Sequence, residues 1–164
     1  MFKLYFFEDS KYMYGKTELS SLGYSLLRQF YGQDIIIEKN DNGKPYITNK
    51  QKLFFNLSHS KNGLALAVSD CEIGVDIEKI KEFNKTVAKR FLKTDETDDL
   101  KLLKLWTKLE SAIKFKGLNL SHINKVSIAN TKTIAVGDFI ISYCTESKEN
   151  PEIIKIDEKT IKNF

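Results

Sequence analysis

The sequence predicts an α+β domain built in two halves. Three observations predict it. A strand-like run and an amphipathic helix open the chain, and two more strand-like runs follow. A strand, the strongest helix and further strands then repeat that order. Finally, 164 residues are most simply one domain (1–164), with the halves meeting between Ser69 and Gly74 and no low-complexity linker between them.

Taken in order, Phe2 to Phe7 reads as a strand with two apolar or aromatic faces. Thr17 is a candidate N-cap for a helix that carries Leu19, Leu22, Leu26, Leu27 and Phe30 to the core, and Gly32 is placed to stop it. Asp34 to Glu38 is a short strand or extended link, Asp41-Asn42-Gly43 a turn, and Pro45 fixes the backbone after Lys44. Leu53 to Leu57 and Gly63 to Ser69 form an antiparallel hairpin around a polar corner, Ser58 to Gly63. Ile73 to Glu78 alternates, with Ile73, Val75 and Ile77 on one side and Gly74, Asp76 and Glu78 on an exposed face. Phe83 to Leu92 is expected helical, Thr94 to Asp99 an acidic connector, and Leu100 to Lys116 a helix ended by Gly117. Strands are expected at Lys125 to Ala129, Thr133 to Val136, Phe139 to Cys144 and Ile153 to Ile156, before a frayed tail.

Composition narrows the class. With 41% hydrophobic and 29% charged residues the chain is ordinary for a globular protein. A net charge of +4 favours a phosphate-bearing ligand or acidic partner through steering, and falls short of the basic tract of a dedicated nucleic-acid binder. Cys71 and Cys144 lack metal-ligand spacing and predict no disulfide scaffold. The apolar run at the N-terminus is too short for a signal peptide, and no uncharged run reaches membrane-spanning length. The expectation is a cytoplasmic protein with neither nucleic-acid nor membrane partners.

Several residues can carry chemistry. Asp76 and Glu78, two apart on one strand face, repel unless a cation lies between them, and Mg²⁺ with oxygen ligands would serve. Alone, the pair fits a decorated surface strand equally well. On the long helix, Leu102, Leu105, Trp106, Leu109, Ala112 and Ile113 form an apolar stripe with Glu110 and Lys114 paired on its flank. That pair is either a surface ion pair worth about 0.3–0.5 kcal/mol or a third metal carboxylate with a phosphate-neutralising lysine. Ser58, His59 and Ser60 present two hydroxyls and an imidazole that can hydrogen-bond an anion or simply make a polar turn; no nucleophile elbow accompanies them. Lys44 offers a cation on a rigid turn or a solvated lysine, and Glu96 a base or a connector acid. His122 has no partner pattern.

These pieces, in this order, resemble the 4′-phosphopantetheinyl transferases of the Sfp type. The matching elements are G-K-P-Y at Gly43 to Tyr46, F-N-L-S-H-S at Phe55 to Ser60, G-V-D-I-E at Gly74 to Glu78, R-F-L-K-T-D-E at Arg90 to Glu96, W-T-K-L-E-S-A-I-K at Trp106 to Lys114, and Gly117-Leu118. The resemblance implies a fold of two pseudo-two-fold-related halves and transfer of the 4′-phosphopantetheine arm of coenzyme A to a serine of an apo-acyl or peptidyl carrier protein. It implies Mg²⁺ on Asp76, Glu78 and Glu110, nucleotide contacts from Lys44, Ser58 and His59, and a phosphate contact from Lys114. Glu96 aligns with a residue proposed in some members as the base, so Glu96, Glu110 and Lys114 form the expected catalytic set. With both motif halves in one chain, a monomer is expected.

Two departures stand out. The family pattern has lysine just before the helical glutamate, and here that position is Leu109, with Lys108 about 200° from Glu110 around the helix. The chain is also compact for the type, with a short connector before Trp106 and a reduced segment after Leu118. A catalytically weak relative that binds coenzyme A or a carrier is the competing expectation.

Overall fold

Strand β1 (Phe2–Glu8) buries both faces: Tyr5 and Phe7 enter one core, and Phe2, Leu4 and Phe6 enter another. The computed structural model, which describes residues 1–11 and 13–161, builds two α/β layers around these cores. After β1 come α1 (Lys16–Tyr31), β2 (Ile37–Lys39), β3 (Pro45–Ile47), β4 (Phe54–Ser60), β5 (Gly63–Ser69) and β6 (Ile73–Lys79). Next are α2 (Lys85–Val87), a π-helical turn at Ala88–Leu92, α3 (Asp99–Phe115) and a 3₁₀ segment at Leu120–Lys125. β7 (Thr131–Val136), β8 (Phe139–Thr145), β9 (Glu152–Ile156) and α4 (Glu158–Ile161) complete the chain order.

One sheet has the order β4-β5-β1-β9, another β6-β8-β7, and β2-β3 is a small separate ribbon. The same connection occurs twice. A strand (β1 or β6) is followed by a long helix (α1 or α3) and then by a hairpin (β4-β5 or β7-β8). The second strand of that hairpin pairs antiparallel with the first strand of the unit. β9 then returns to run parallel beside β1.

The layers follow from the side chains. Leu19, Leu22, Leu26 and Leu27 of α1 cover Tyr5, Phe55, Leu64 and Leu66. Between the sheets, Leu4, Phe6, Ala65 and Ala67 meet Val75, Ile77, Phe139 and Ile141. Leu102 and Leu103 of α3 pack on Ile140, and Ala112 and Phe115 on Cys144. The stack is helix, sheet, sheet, helix, and hydrophobic burial in its three interfaces supplies the main driving force.

Local differences from expectation have physical causes. α1 is N-capped by Gly15, in extended conformation and without a side-chain cap bond, so Thr17 lies inside the first turn. Gly32 does end it, at φ 124°, with its N–H on the Arg28 carbonyl. Phe30 stays 38% exposed, stacked on Tyr5 instead of entering the core. Strand β2 begins only at Ile37, because Ile35 and Ile36 spend their N–H groups on Gly32 and the Asn49 side chain. The β4-β5 turn is only Lys61-Asn62, so Ser58, His59 and Ser60 lie within the strand and not in a corner. Phe83 to Leu92 is not one helix: Asn84 caps the short α2, which passes into the π turn. No strand forms at Lys125 to Ala129, where the 3₁₀ segment gives way to irregular chain. The face of β6 that alternation marked as exposed is covered by α3, so Asp76 is buried.

Candidate functional site

Gly74 sets the site. A side chain there would lie 2.1 Å from the Ser111 carbonyl and 2.3 Å from the Phe115 nitrogen, so only glycine lets α3 lie backbone-close on β6. That approach holds Glu110 and Lys114 of α3 over Asp76 and Glu78 of β6.

β4 supplies the opposite wall. Its positions 56, 58 and 60 point along the edge of β6. Asn56 accepts the Val75 N–H at 2.8 Å, Ser58 Oγ donates to Asp76 Oδ1 at 2.9 Å, and Ser60 Oγ donates to Glu78 Oε2 at 2.7 Å. The two sheets are thus joined at their edges by side chains. Leu57, between these positions, fills the space that Gly23 leaves open on α1.

Lys114 Nζ donates to Asp76 Oδ1 at 2.7 Å and to Ser58 Oγ at 2.8 Å. Asp76 Oδ2 is buried with no hydrogen-bond partner among the described residues. Glu78 Oε2 also receives Lys81 Nζ at 2.9 Å. Ser58, His59, Asp76, Glu78, Glu110 and Lys114 line one cavity of about 330 Å³, completed by Ser20, Tyr24, Pro45 and Leu57.

The electrostatics reflect burial and crowding. Burial pushes Asp76 up, against the pull of Lys114 and Ser58. Burial, with Asp76 and Glu78 adding to it against Lys114, pushes Glu110 up to about 7. Burial, then Lys114 and Lys16, lowers His59, whose Nδ1 is a second buried atom without a hydrogen-bond partner among the described residues. Lys114 thus pairs with Asp76 and Lys81 with Glu78, and no ion pair with Glu110 is among the described contacts. Among the described residues, no three acidic, histidine or cysteine side chains stand in a ready-made ligating arrangement. The orphaned Asp76 oxygen and the suppressed ionisation of Glu110 are nevertheless what a bound cation would relieve, so the donor set fits one.

Two expected site residues are not brought into this cavity. Lys44 pairs with Glu72 and donates to the Ile73 and Phe115 carbonyls at 3.2 Å each, tying the end of α3 to the start of β6. Glu96 accepts the Thr97 and Asp98 N–H groups at 2.9 and 3.0 Å and pairs with Lys101 at 3.3 Å. Those backbone bonds, then Lys101, hold its carboxyl below the usual range. Leu109 is buried in a separate apolar cavity with Phe91, Leu92, Leu105 and Ile123. Local sequence pattern does not single out Asn56, Ser20 and Tyr24 as site residues. The polar alternation at 56, 58 and 60, and the i,i+4 spacing of Ser20 and Tyr24, were their available signals.

No family model matches the chain. Curated relatives do. A 4′-phosphopantetheinyl transferase of Bacillus pumilus is 36% identical over 100 residues, 55% of this chain and 43% of the relative. One from Bacillus subtilis is 39% identical over 89 residues, 48% of this chain and 40% of the relative. One from Aneurinibacillus migulanus is 30% identical over 115 residues, 60% and 48% respectively. The chain thus matches less than half the length of each of these relatives. Moderate identity to several such enzymes over part of the chain supports the 4′-phosphopantetheinyl transferase family.

Proposed function

We propose that this chain is a compact Sfp-type 4′-phosphopantetheinyl transferase, folded as one domain and acting as a monomer. It moves the phosphopantetheine arm of coenzyme A to a serine hydroxyl of an acyl or peptidyl carrier protein. The observation that carries the reading is the Lys114 ammonium shared by Asp76 and Ser58, in one cavity with Glu78, Glu110 and His59.

The phosphates of the donor are held by Lys114, with Ser58 and His59 as hydrogen-bonding groups toward the nucleotide. Lys114 must turn part of its donor capacity from Asp76 to the pyrophosphate, and a cation on Asp76, Glu78 and Glu110 compensates those carboxylates. Bound there, Mg²⁺ supplies neutralisation of charge on the pyrophosphate. The carrier serine oxygen attacks the phosphorus that bears the pantetheine arm, and the bond from that phosphorus to the bridging oxygen breaks. Adenosine 3′,5′-bisphosphate leaves with its developing charge against Lys114. The serine proton goes to water in the cavity, because Glu110 is engaged with the cation. Glu96, the base that the resemblance implies, has its carboxylate engaged at the start of α3.

Mixing the protein with coenzyme A, Mg²⁺ and a purified apo-carrier tests this reading. Intact mass should rise by one phosphopantetheine arm, and Asp76→Ala or Glu110→Ala should abolish the rise. Unchanged turnover in both variants would overturn the site.

A second reading is favoured by Leu109, buried where the family pattern has lysine. On that reading the chain binds coenzyme A or a carrier without efficient transfer. Calorimetric binding of coenzyme A, with no mass gain on several carrier types, would select it.

A further inference from the structure

Asp76 and Glu78 are held alike on β6. Asp76 takes Ser58 Oγ and Lys114 Nζ on one oxygen, Oδ1, and Glu78 takes Ser60 Oγ and Lys81 Nζ on one oxygen, Oε2. The two-residue repeat of each strand makes the match, Ser58 to Asp76 and Ser60 to Glu78. The two carboxylates differ in what can move. Lys114 lines the carboxylate cavity and holds both members of its pair, Asp76 and Ser58. Neither Ser60 nor Lys81 lines that cavity, so each acts on it through Glu78. Ser60 is buried at the end of the β4-β5 hairpin. The turn that follows fixes its backbone. Asn62, also buried, accepts the Asp9 N–H at 2.7 Å and donates to the Asp9 carbonyl at 3.0 Å, and the Phe139 ring fills the space at Gly63. Lys81 lies beyond the end of β6, with its side chain 41% exposed against 21% for Glu78.

We propose that Ser60 is a positioning residue for a divalent cation at Asp76, Glu78 and Glu110, and that Lys81 is the exchangeable counter-cation of Glu78, leaving it when the divalent ion binds. The inference rests on the transferase reading above, which puts the cation on those carboxylates. A glutamate has one more rotatable bond than an aspartate, so Glu78 loses more rotamer freedom as a ligand than Asp76 does. A hydroxyl on a fixed backbone removes part of that loss beforehand by holding Oε2, and such partners of ligating carboxylates set metal affinity through orientation. Lys81 acts in the opposite sense. Its ammonium balances the charge of Glu78, and a second cation on the same carboxylate repels it. An exposed lysine ion pair is weak, so the ammonium is released into water easily. The buried serine stays.

Mn²⁺ titrated into the protein with equimolar coenzyme A and no carrier, with the free ion read by electron paramagnetic resonance, reports cation affinity without turnover. Ser60→Ala should weaken Mn²⁺ about tenfold, and Ser60→Thr, which keeps the hydroxyl, should retain it. Lys81→Gln should tighten Mn²⁺ about threefold, the size expected for loss of an exposed ion pair. The titration is run at about 0.15 M salt, where exposed charges more than about 8 Å apart are largely screened. Unchanged affinity in Ser60→Ala or in Lys81→Gln, or an equal loss in Ser60→Thr and Ser60→Ala, overturns the proposal and leaves the transferase reading standing. If the parent binds no Mn²⁺, or Glu78→Ala binds it as tightly as the parent, the carboxylate site of that reading fails and takes the proposal with it. Should Ser60→Ala not fold, the surface variant Lys81→Gln decides alone. Tighter Mn²⁺ supports the proposal, and equal affinity overturns it.

Discussion

Lys114 and Asp76, 38 residues apart in the chain, are joined by a 2.7 Å ion pair that satisfies only one oxygen of the carboxylate. The lysine side chain is 27% exposed and the aspartate side chain 8%, so the pair sits at the mouth of a buried charge and not on the surface. Such a pair is a weak source of net stability but costly to break, because removal of one partner strands the other.

Lys114→Ala is therefore expected to destabilise the protein by about 3–5 kcal/mol near neutral pH. Without the ammonium, burial and Glu78 are opposed only by the Ser58 hydrogen bond, and the proton affinity of Asp76 rises further. A raised carboxyl contributes stability at low pH that is lost as pH rises through its folded value. The deficit should therefore shrink on acidification. Urea midpoints at pH 4 and pH 8 check this.

Glu110 gives a pH dependence with a definite sign. Its folded value of about 7 lies above its ordinary carboxylate value. Its contribution is fully present below the unfolded value and fades as pH rises through 7, by up to about 3 kcal/mol. In metal-free buffer the parent should lose stability between pH 5 and pH 8. Glu110→Gln should flatten that loss and be the more stable protein at pH 8, as read by thermal unfolding across the range.

Glu96→Gln should leave the rate of arm transfer unchanged in the mass assay. The carboxylate caps backbone N–H groups of Thr97 and Asp98 and does not line the cavity. A loss of rate matching that of Glu110→Gln would restore Glu96 as the base.

Leu109→Lys restores the family pattern in sequence but places an ammonium among Phe91, Leu105 and Ile123. It should cost about 3 kcal/mol through a buried unpaired charge and give no gain in transfer. Increased transfer in this variant would show that position 109 does serve the phosphates.

Strand alternation and helical spacing made Asp76, Glu78, Glu110 and Lys114 legible as two separate pairs. Their meeting was one of two readings of the helical pair and followed from the resemblance, not from local pattern, because it depends on Gly74 admitting α3. For the same reason alternation marked Asp76 as exposed: period two says which residues share a face, not what covers that face. Ser58 to Ser60 looked like a corner because polar residues usually mark turns. They stay in the strand because the edge of β6 satisfies Ser58 and Ser60. The repeated strand–helix–hairpin order was readable from element order. The parallel return of β9 to β1 was not, since it pairs residues about 150 positions apart, such as Lys3 with Glu152. The strand expected at Lys125 to Ala129 failed because short apolar alternation without a partner edge does not hold a strand.

Asp76, Glu78 and Glu110 are proposed to gather around one cation, with Lys114 on the phosphates. A crystal structure with coenzyme A and Mn²⁺ in place of Mg²⁺, read by anomalous scattering, tests it most directly. One ion bound by Asp76, Glu78 and Glu110, with Lys114 on a donor phosphate, is the expected result. An ion elsewhere, or a donor seated away from Ser58 and His59, would contradict it.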